Sequence, residues 1–190
     1  LRFDPRVTVL TFSVYKSRMP SNAVVMPTLT EDNGKDGIIL RGKGDKPLVS
    51  FCGMGGFPSV RRWVAYYAKI LMHLLTGLFR QSSRAKIVGV YWRRAAMRAC
   101  EHSGLVDTHF IVRKTFSGSR KTIELDPLQA RQEYLESIIS SDFVIAPKGD
   151  GNYSNRFLKA LALGRFPILI DTDSALPFEE RIPYEKVIVR

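Results

Sequence analysis

The sequence predicts an α/β fold built on a Rossmann-like parallel sheet with helices on both faces. From about residue 46, short apolar segments alternate with longer segments whose apolar residues recur at steps of three and four. This alternation is typical of parallel strands joined by crossover helices that cover both faces of a sheet. In addition, two glycine-containing loops each connect the end of an apolar segment to the start of a helical one.

The N-terminal region is predicted to belong to a different unit. "VTVLTF" (7–12) and "NAVVMP" (22–27) each indicate a short strand, and the stretch 30–47, rich in glycine, aspartate and lysine, is typical of an exposed linker. We therefore expect residues 1–45 to be the tail of one domain with its linker, and residues 46–190 to form the Rossmann-like domain. Because the chain begins with leucine rather than methionine, we also expect it to be a piece of a longer protein.

The boundaries of several elements within the Rossmann-like domain are visible in the sequence. Pro58 suits the first turn of a helix, and the apolar residues of that helix form one broad stripe from residue 60 to residue 78, off which Arg61, Arg62 and Lys69 fall. Asp126 before a proline predicts another helix start. "AKIVGVYW" (85–92) is ambiguous, because a strand there would overlap the helix-like run that follows. The predicted strands are 47–53, 108–114, 143–147 and 166–171, and the predicted helices are 58–78, 93–104, 126–142 and 154–164.

Composition restricts the partners of the chain. A net charge of +11 and a pI near 9.9 favour polyanions, nucleotides, phosphosugars or an anionic membrane surface, although a solvated basic face has the same composition. No recognised nucleic-acid-binding motif is present, so we do not expect a nucleic-acid partner. Cys52 and Cys100 make no disulfide framework, and the three histidines lack metal-ligand spacing. The sequence also lacks the run of about 20 apolar residues that a membrane-spanning helix needs.

The stretch "FVIAPKGDGNYSNRFLKALALGRFPILID" (143–171) contains the clearest candidate site. Two glycines and three small polar residues separate its strand from its helix: Gly149, Gly151, Asn152, Ser154 and Asn155. At the carboxyl end of a parallel strand, such a helix start presents unpaired amides and a partial positive charge, which suit a phosphate group. Lys148 and Arg156 add positive charge nearby. Ordinary turn and cap chemistry accounts for the same residues, so both interpretations stay open.

A second glycine loop lies in "GMGGFPSVRR" (53–62), which again connects a strand to a helix start. Two such loops at one edge of a sheet would converge on a crevice, and arginine binds a diphosphate in bidentate fashion. Gly53 and either Arg61 or Arg62 are therefore candidates for the opposite wall of the site. A solvated helix face is the alternative interpretation of the two arginines.

The segment "SSDFVIAPKGDGNYSNRFLKALALGRFPILIDTDSALPFEE" closely resembles the C-terminal part of exostosin-like glycosyltransferases. The resemblance rests on a strand start at Ser141–Phe143, the loop Lys148–Gly151, the helix start Ser154–Phe157, a strand at Gly164–Ile168 and the segment Leu176–Glu179. "KPLVSFCG" and "NAVVMP" are also similar to the family, so the match spans most of the chain. It is dense over 137–184 and thin elsewhere.

The resemblance implies a two-domain enzyme of the GT-B type. Its C-terminal Rossmann-like domain would hold a nucleotide-sugar donor, expected to be a UDP-sugar, and its N-terminal domain would supply most contacts to the glycan acceptor. Such enzymes transfer the sugar to a glycan hydroxyl, typically with inversion, and generally need no metal or other cofactor. The resemblance thus implies a role in polysaccharide biosynthesis.

The resemblance also implies roles for individual residues. The loop Gly149–Ser154 with Asn155 would border the diphosphate or the sugar, and Arg113 matches an arginine that the family places near the cleft. Lys159 stands where the family usually has a glutamate that binds donor hydroxyls, and an ammonium cannot accept their hydrogen bonds. Lys159 could instead bind phosphate, indicate another donor, or mark a degenerate site. The predicted donor-binding residues are Gly53, Arg61, Arg62, Arg113, Lys148, Gly149, Gly151, Asn152, Ser154, Asn155, Arg156 and Lys159.

The catalytic base is not identified by the sequence. Asp150 is the candidate nearest the loop, and it serves equally well as a turn residue. "DTD" (171–173) has the form of an Asp-x-Asp metal motif, but the "LPF" that follows favours a turn, and we expect no metal.

Two alternatives to a working enzyme remain, a non-catalytic glycosyltransferase-like subunit and a basic polyanion-binding module. We expect a cytoplasmic or peripheral membrane location for a microbial protein and the Golgi lumen for a eukaryotic one, with any membrane association made through parts outside this chain.

Overall fold

The computed structural model describes residues 4, 6–30, 38, 40–79, 87–115, 125–149 and 151–190. A two-stranded parallel sheet comprises β1 (Val9–Thr11) and β2 (Ala23–Val25). The main sheet comprises β3 (Leu48–Met54), β4 (Asp107–Arg113), β5 (Phe143–Ala146) and β6 (Phe166–Leu169). The helices are α1 (Val60–Phe79), α2 (Gly89–Ser103), α3 (Pro127–Ile139) and α4 (Asn155–Ala162), with short 3-10 turns at Lys16–Arg18 and Tyr184–Lys186.

The main sheet is entirely parallel and has the strand order β4-β3-β5-β6. The chain passes from β3 to β4 on one side and then crosses back to β5 on the other side of β3. Val49 of β3 therefore lies between Thr108 of β4 and Phe143 of β5. Because the direction of winding reverses between β3 and β5, a crevice opens at the carboxyl ends of these two strands.

Helices cover both faces of this sheet, as predicted. Successive side chains of a strand point to opposite faces. Val49, Phe51 and Ile145 pack with Met97 of α2 on one face. On the other face, Val144 packs with residues of α3 and α4, among them Ile138 and Ala160. The predicted Rossmann-like α/β class is thus confirmed.

Local signals placed most elements correctly. Asp126 caps α3, because its Oδ1 accepts a hydrogen bond from the Leu128 amide at 3.3 Å and a proline occupies the first helical position. The strands predicted over 7–12 and 22–27 are confirmed in shortened form as β1 and β2.

The strand considered for 85–92 is absent from its described part, residues 87–92. Helix α2 begins at Gly89 instead. Ile87 and Val90 pack against Tyr66 and Ile70 of α1, so the apolar residues of this stretch are buried between two helices rather than in the sheet.

The apolar stripe predicted for α1 is mostly not buried. The buried side chains are Tyr66 and Ile70, with Trp63 partly buried beside them. Among the described residues, α1 packs on the start of α2, and this contact covers only the narrow side that contains Tyr66 and Ile70. The apolar residues of the predicted stripe at 60, 64, 67, 71 and 75 are exposed.

The N-terminal segment contacts the C-terminal part of the chain. The amide of Lys16 donates to the carbonyl of Asp173 at 2.7 Å, and the amide of Ala175 donates to the carbonyl of Val14 at 3.3 Å. These contacts place residues 14–16 beside residues 173–175, and the neighbouring Ser13 hydroxyl accepts from the Asn152 amide of the glycine loop. Within the described residues, even α1, the longest helix, is not apolar enough to cross a bilayer.

Candidate functional site

A cleft of about 620 Å³ lies at the carboxyl ends of β3 and β5, where the topology predicts a ligand site. The end of β3 forms one wall, the first turns of α3 form another, and the glycine loop with the start of α4 forms the third. Half of the predicted donor-binding residues line it: Gly53, Gly149, Gly151, Ser154, Asn155 and Arg156.

The glycine loop is held in place from behind. The amide of Gly149 donates to the carbonyl of Tyr153 at 2.9 Å, and the amide of Asn152 donates to Ser13 Oγ at 2.7 Å. The Asn152 side chain is buried and pairs with Thr172, accepting from its Oγ1 at 2.7 Å and donating to its carbonyl at 3.2 Å. These two amides are therefore occupied internally, and Asn152 fixes the loop rather than lining the cleft.

Gly151 has a steric reason to be glycine. A Cβ at this position would lie 2.9 Å from Ser13 Oγ and 2.8 Å from the ring of Tyr153, closer than real Cβ atoms approach their neighbours. The glycine thus permits the loop to pack tightly against the N-terminal segment. Asp150, the candidate base, lies outside the described residues.

The start of α4 borders the cleft and has the features of an anion site. Ser154 is the N-cap with extended backbone angles, and its side chain caps no amide. Among the first three helical amides, only that of Phe157 is paired within the described residues, to the carbonyl of Ser154 at 3.1 Å. The described residues supply no partner to the amides of Asn155 and Arg156, and no acidic side chain occupies this first turn.

Arg156 connects the two central strands beneath the cleft. Its Nη2 donates to the carbonyl of Cys52 at 2.6 Å, its Nη1 lies 3.5 Å from the carbonyl of Ile145, and its guanidinium stacks over the ring of Phe51 at 4.4 Å. Burial lowers the pKa of Arg156 and raises that of Tyr134, whose ring lies 5.6 Å from the guanidinium. The Nε of Arg156 is buried and has no hydrogen-bond partner within the described part of the chain.

Gly53 also has a steric reason to be glycine. It has φ +153°, and a Cβ there would lie 2.9 Å from Nη2 of Arg156. The absence of a side chain therefore lets the guanidinium reach the end of β3. The predicted closeness of the two glycine loops is thus achieved through Arg156.

Three further cleft residues were not predicted from the sequence. Arg93 of α2 donates to the carbonyl of Met54 at 2.8 Å and reaches the carbonyl of Lys148 at 3.4 Å, so it joins the two loops. Arg131 and Tyr134 line the cleft from α3. Because the stretch 85–92 was ambiguous, the sequence did not predict that Arg93 reaches the cleft. Arg131 and Tyr134 left a signal in the sequence, because their spacing of three residues puts them on one side of α3.

The other predicted site residues lie outside the cleft lining. Arg62 borders an adjoining pocket of about 290 Å³ together with Lys69 and Arg93, and Arg61 is exposed. Arg113 is largely buried in an ion pair with Glu133 at 2.7 Å.

Lys148 and Lys159 also stand away from the cleft lining. Lys148 is buried behind the loop, where desolvation lowers its pKa. Lys159 follows Asn155 by one turn and is half-buried. Both residues are close to the loop in sequence, but neither lines the cleft.

The two aspartates of "DTD" are engaged in turn contacts. Asp173 accepts from the amide and hydroxyl of Ser17, and Asp171 accepts from the amide of Asp173 at 2.9 Å and pairs with Arg190 at 3.1 Å. Across the described ranges, no group of three or more histidine, cysteine, aspartate and glutamate residues is placed to hold a metal ion.

The fold and the cleft together define a Rossmann-like α/β protein with a crevice at its topological switch point. No protein-family model matches the chain. A rice protein (Oryza sativa subsp. japonica) named "Probable glucuronosyltransferase GUT1" is 34% identical over 58 residues. The match covers 30% of this chain and 14% of that protein, so the chain spans a minor part of the relative's length. The similarity to known proteins is thus to a glycosyltransferase, and it is partial and distant.

Proposed function

We propose that this chain is the donor-binding part of a glycosyltransferase that moves a sugar from a nucleotide-diphosphate sugar to a glycan hydroxyl. The observation that carries the proposal is the cleft at the ends of β3 and β5, which is bordered by the Asn155 and Arg156 amides of α4, and the described residues supply no partner to either amide. The partial similarity to a rice glucuronosyltransferase supports the class. The resemblance of 137–184 to exostosin-like enzymes supports the C-terminal half of a GT-B protein, with residues 1–45 belonging to the acceptor domain.

The diphosphate of the donor would lie at the start of α4. There it would accept from the amides of Asn155 and Arg156 and from the hydroxyl of Ser154, and it would compensate the buried Nε of Arg156. Among the described residues that line the cleft, three are arginines and none is acidic. The ring of Tyr134 provides a flat apolar surface for the base of the nucleotide, for which a UDP-sugar is our proposal.

The same groups would assist departure of the nucleotide diphosphate. As the bond between the sugar carbon and the diphosphate oxygen breaks, negative charge grows on that oxygen. The helix amides and the buried guanidinium stabilise it without reorganisation. The acceptor hydroxyl attacks the opposite side of the sugar, which inverts its configuration, and loses its proton to a general base. We propose that this base is supplied from the acceptor side or by Asp150.

A non-catalytic glycosyltransferase-like subunit is the second candidate. The specific observation in its favour is Lys159, which stands where the resembled family has a glutamate for donor hydroxyls. A chain of this kind would retain the diphosphate contacts and lose selectivity for the sugar. Transfer of sugar by the full chain would exclude it.

A calorimetric panel with uridine, UMP, UDP and several UDP-sugars tests the proposal. We expect UDP to bind at least about tenfold more tightly than UMP, because the second phosphate reaches the amides of α4. Lys159→Glu should strengthen UDP-sugar relative to UDP if donor hydroxyls are bound nearby, whereas Lys69→Glu, the same charge change on α1, should leave that ratio unchanged. Equal affinity for UMP and UDP would contradict a diphosphate site.

A further inference from the structure

Helix α1 carries an exposed apolar face that the core leaves uncovered. Val60, Val64, Tyr67, Leu71 and Leu75 follow one another at steps of three and four, and each is between 53% and 78% exposed. We call these five residues the α1 apolar face. Since α1 rises about 1.5 Å per residue, the face extends over roughly 22 Å of helix. Contiguous apolar surface of this kind marks a site of interaction.

The charge of α1 indicates what covers this face. No aspartate or glutamate occurs among its 20 residues, whereas Arg61 is exposed at the edge of the face and Arg62 and Lys69 are exposed on the opposite side of the helix. A helix with aromatic and aliphatic residues on one side and arginine or lysine on the other is typical of segments that lie in the interface of a bilayer. The chain as a whole carries +11, which adds long-range attraction to anionic lipid.

Charge also disfavours the obvious competitor, a second copy of this chain. Two copies of a chain that carries a net charge of +11 repel each other, and neither α1 offers an acidic residue to compensate the charge of the other copy. We therefore propose that the α1 apolar face binds the surface of an anionic membrane, with α1 lying along the surface rather than crossing it.

Co-sedimentation of the full chain with vesicles tests this proposal. One vesicle is phosphatidylcholine alone and the other contains about one third phosphatidylserine. The variant is Val64→Glu with Leu71→Glu. The control is Leu105→Glu with Leu128→Glu, since these leucines are 75% and 77% exposed outside α1 and the control lowers the net charge equally. Circular dichroism checks that all three proteins are folded.

We expect the wild type and the control to bind the anionic vesicles similarly, and the α1 variant to bind at least about tenfold more weakly. Neutral vesicles should bind the wild type at least about tenfold less well. Three results would overturn the proposal: no binding of the wild type to either vesicle, equal loss in variant and control, or unchanged binding of the α1 variant. A wild-type dimer that the α1 variant makes monomeric, without any vesicle binding, would assign the face to a second copy and would also overturn it.

Discussion

The guanidinium of Arg156, at the start of α4, donates to the main-chain carbonyl of Cys52, at the end of β3, over 2.6 Å. The same side chain approaches the carbonyl of Ile145 on β5 and stacks on Phe51. One residue therefore connects the two strands between which the sheet reverses its winding. The shape of the cleft depends on this connection, and so does the position of the helix amides that we assign to the diphosphate.

Arg156→Ala should destabilise the fold by about 3 kcal/mol, because it removes a buried cation–π contact and leaves the Cys52 carbonyl without its donor. Urea denaturation followed by circular dichroism measures the change. Arg61→Ala, which removes an exposed arginine, should change the free energy of unfolding by less than about 0.5 kcal/mol. Equal stability of the Arg156 variant and the wild type would contradict the structural role.

Gly53→Ala should displace the Arg156 guanidinium, since the new Cβ would stand 2.9 Å from Nη2. We expect a loss of about 2 kcal/mol in the free energy of unfolding and weaker UDP binding. The control is Gly42→Ala, because a Cβ there would meet no atom within 4 Å. If both alanine variants unfold at the same urea concentration, the close approach of Arg156 to Gly53 does not contribute to the stability of the fold.

Asn155→Asp should affect stability and ligand binding in opposite directions. A carboxylate in the first turn of α4 favours the helix dipole by about 0.5 kcal/mol, but it repels an anion bound to the same amides. We predict an unchanged or slightly higher melting temperature together with UDP binding at least about tenfold weaker. Asn155→Ala separates loss of the side chain from the added charge, and it should retain most of the affinity. UDP binding that Asn155→Asp leaves intact would place the phosphates elsewhere.

Asp142 should contribute to stability at neutral pH and lose that contribution in acid. Burial raises the pKa of Asp142, but the hydrogen bond from the Leu48 amide at 2.7 Å and the contact with Arg41 outweigh it, so the net pKa is lowered. The contribution of a carboxylate with a lowered pKa is complete above its unfolded value, near about 3.9, and disappears as pH falls through the folded value.

Urea midpoints of the wild type and Asp142→Asn, measured from about pH 7 to about pH 3, test this prediction. The wild type should be more stable at neutral pH, and the difference should narrow below about pH 4. A difference that stays constant over this range would show that the carboxylate charge is not involved.

Local patterns account for what the sequence predicted well. The strands at β3 and β5 are continuous apolar runs, and the start of α3 is an aspartate followed by proline, so neighbouring residues alone identify them. The glycine loop was likewise found from its own residues. The outward orientation of α1 could not be found in this way, because periodicity identifies an apolar stripe and not the element that covers it.

The roles of individual site residues depend on distant partners. Arg156 is 104 residues from Cys52, and Asn152 is 139 residues from Ser13. In the sequence, an arginine at a helix start is compatible with two roles, binding a phosphate and connecting two strands. The position of the second strand is needed to decide between them. For the same reason Arg113, which looked like a cleft residue, was not predicted to pair with Glu133.

The most direct test of the central claim is an amide nuclear magnetic resonance titration of the full chain with UDP. We predict that the largest shifts fall on the amides of Asn155 and Arg156, with smaller ones at Gly53 and near Tyr134, and none on β1 or β2. Saturable UDP binding that leaves the amides of Asn155 and Arg156 unshifted, or the absence of any binding, would contradict the account.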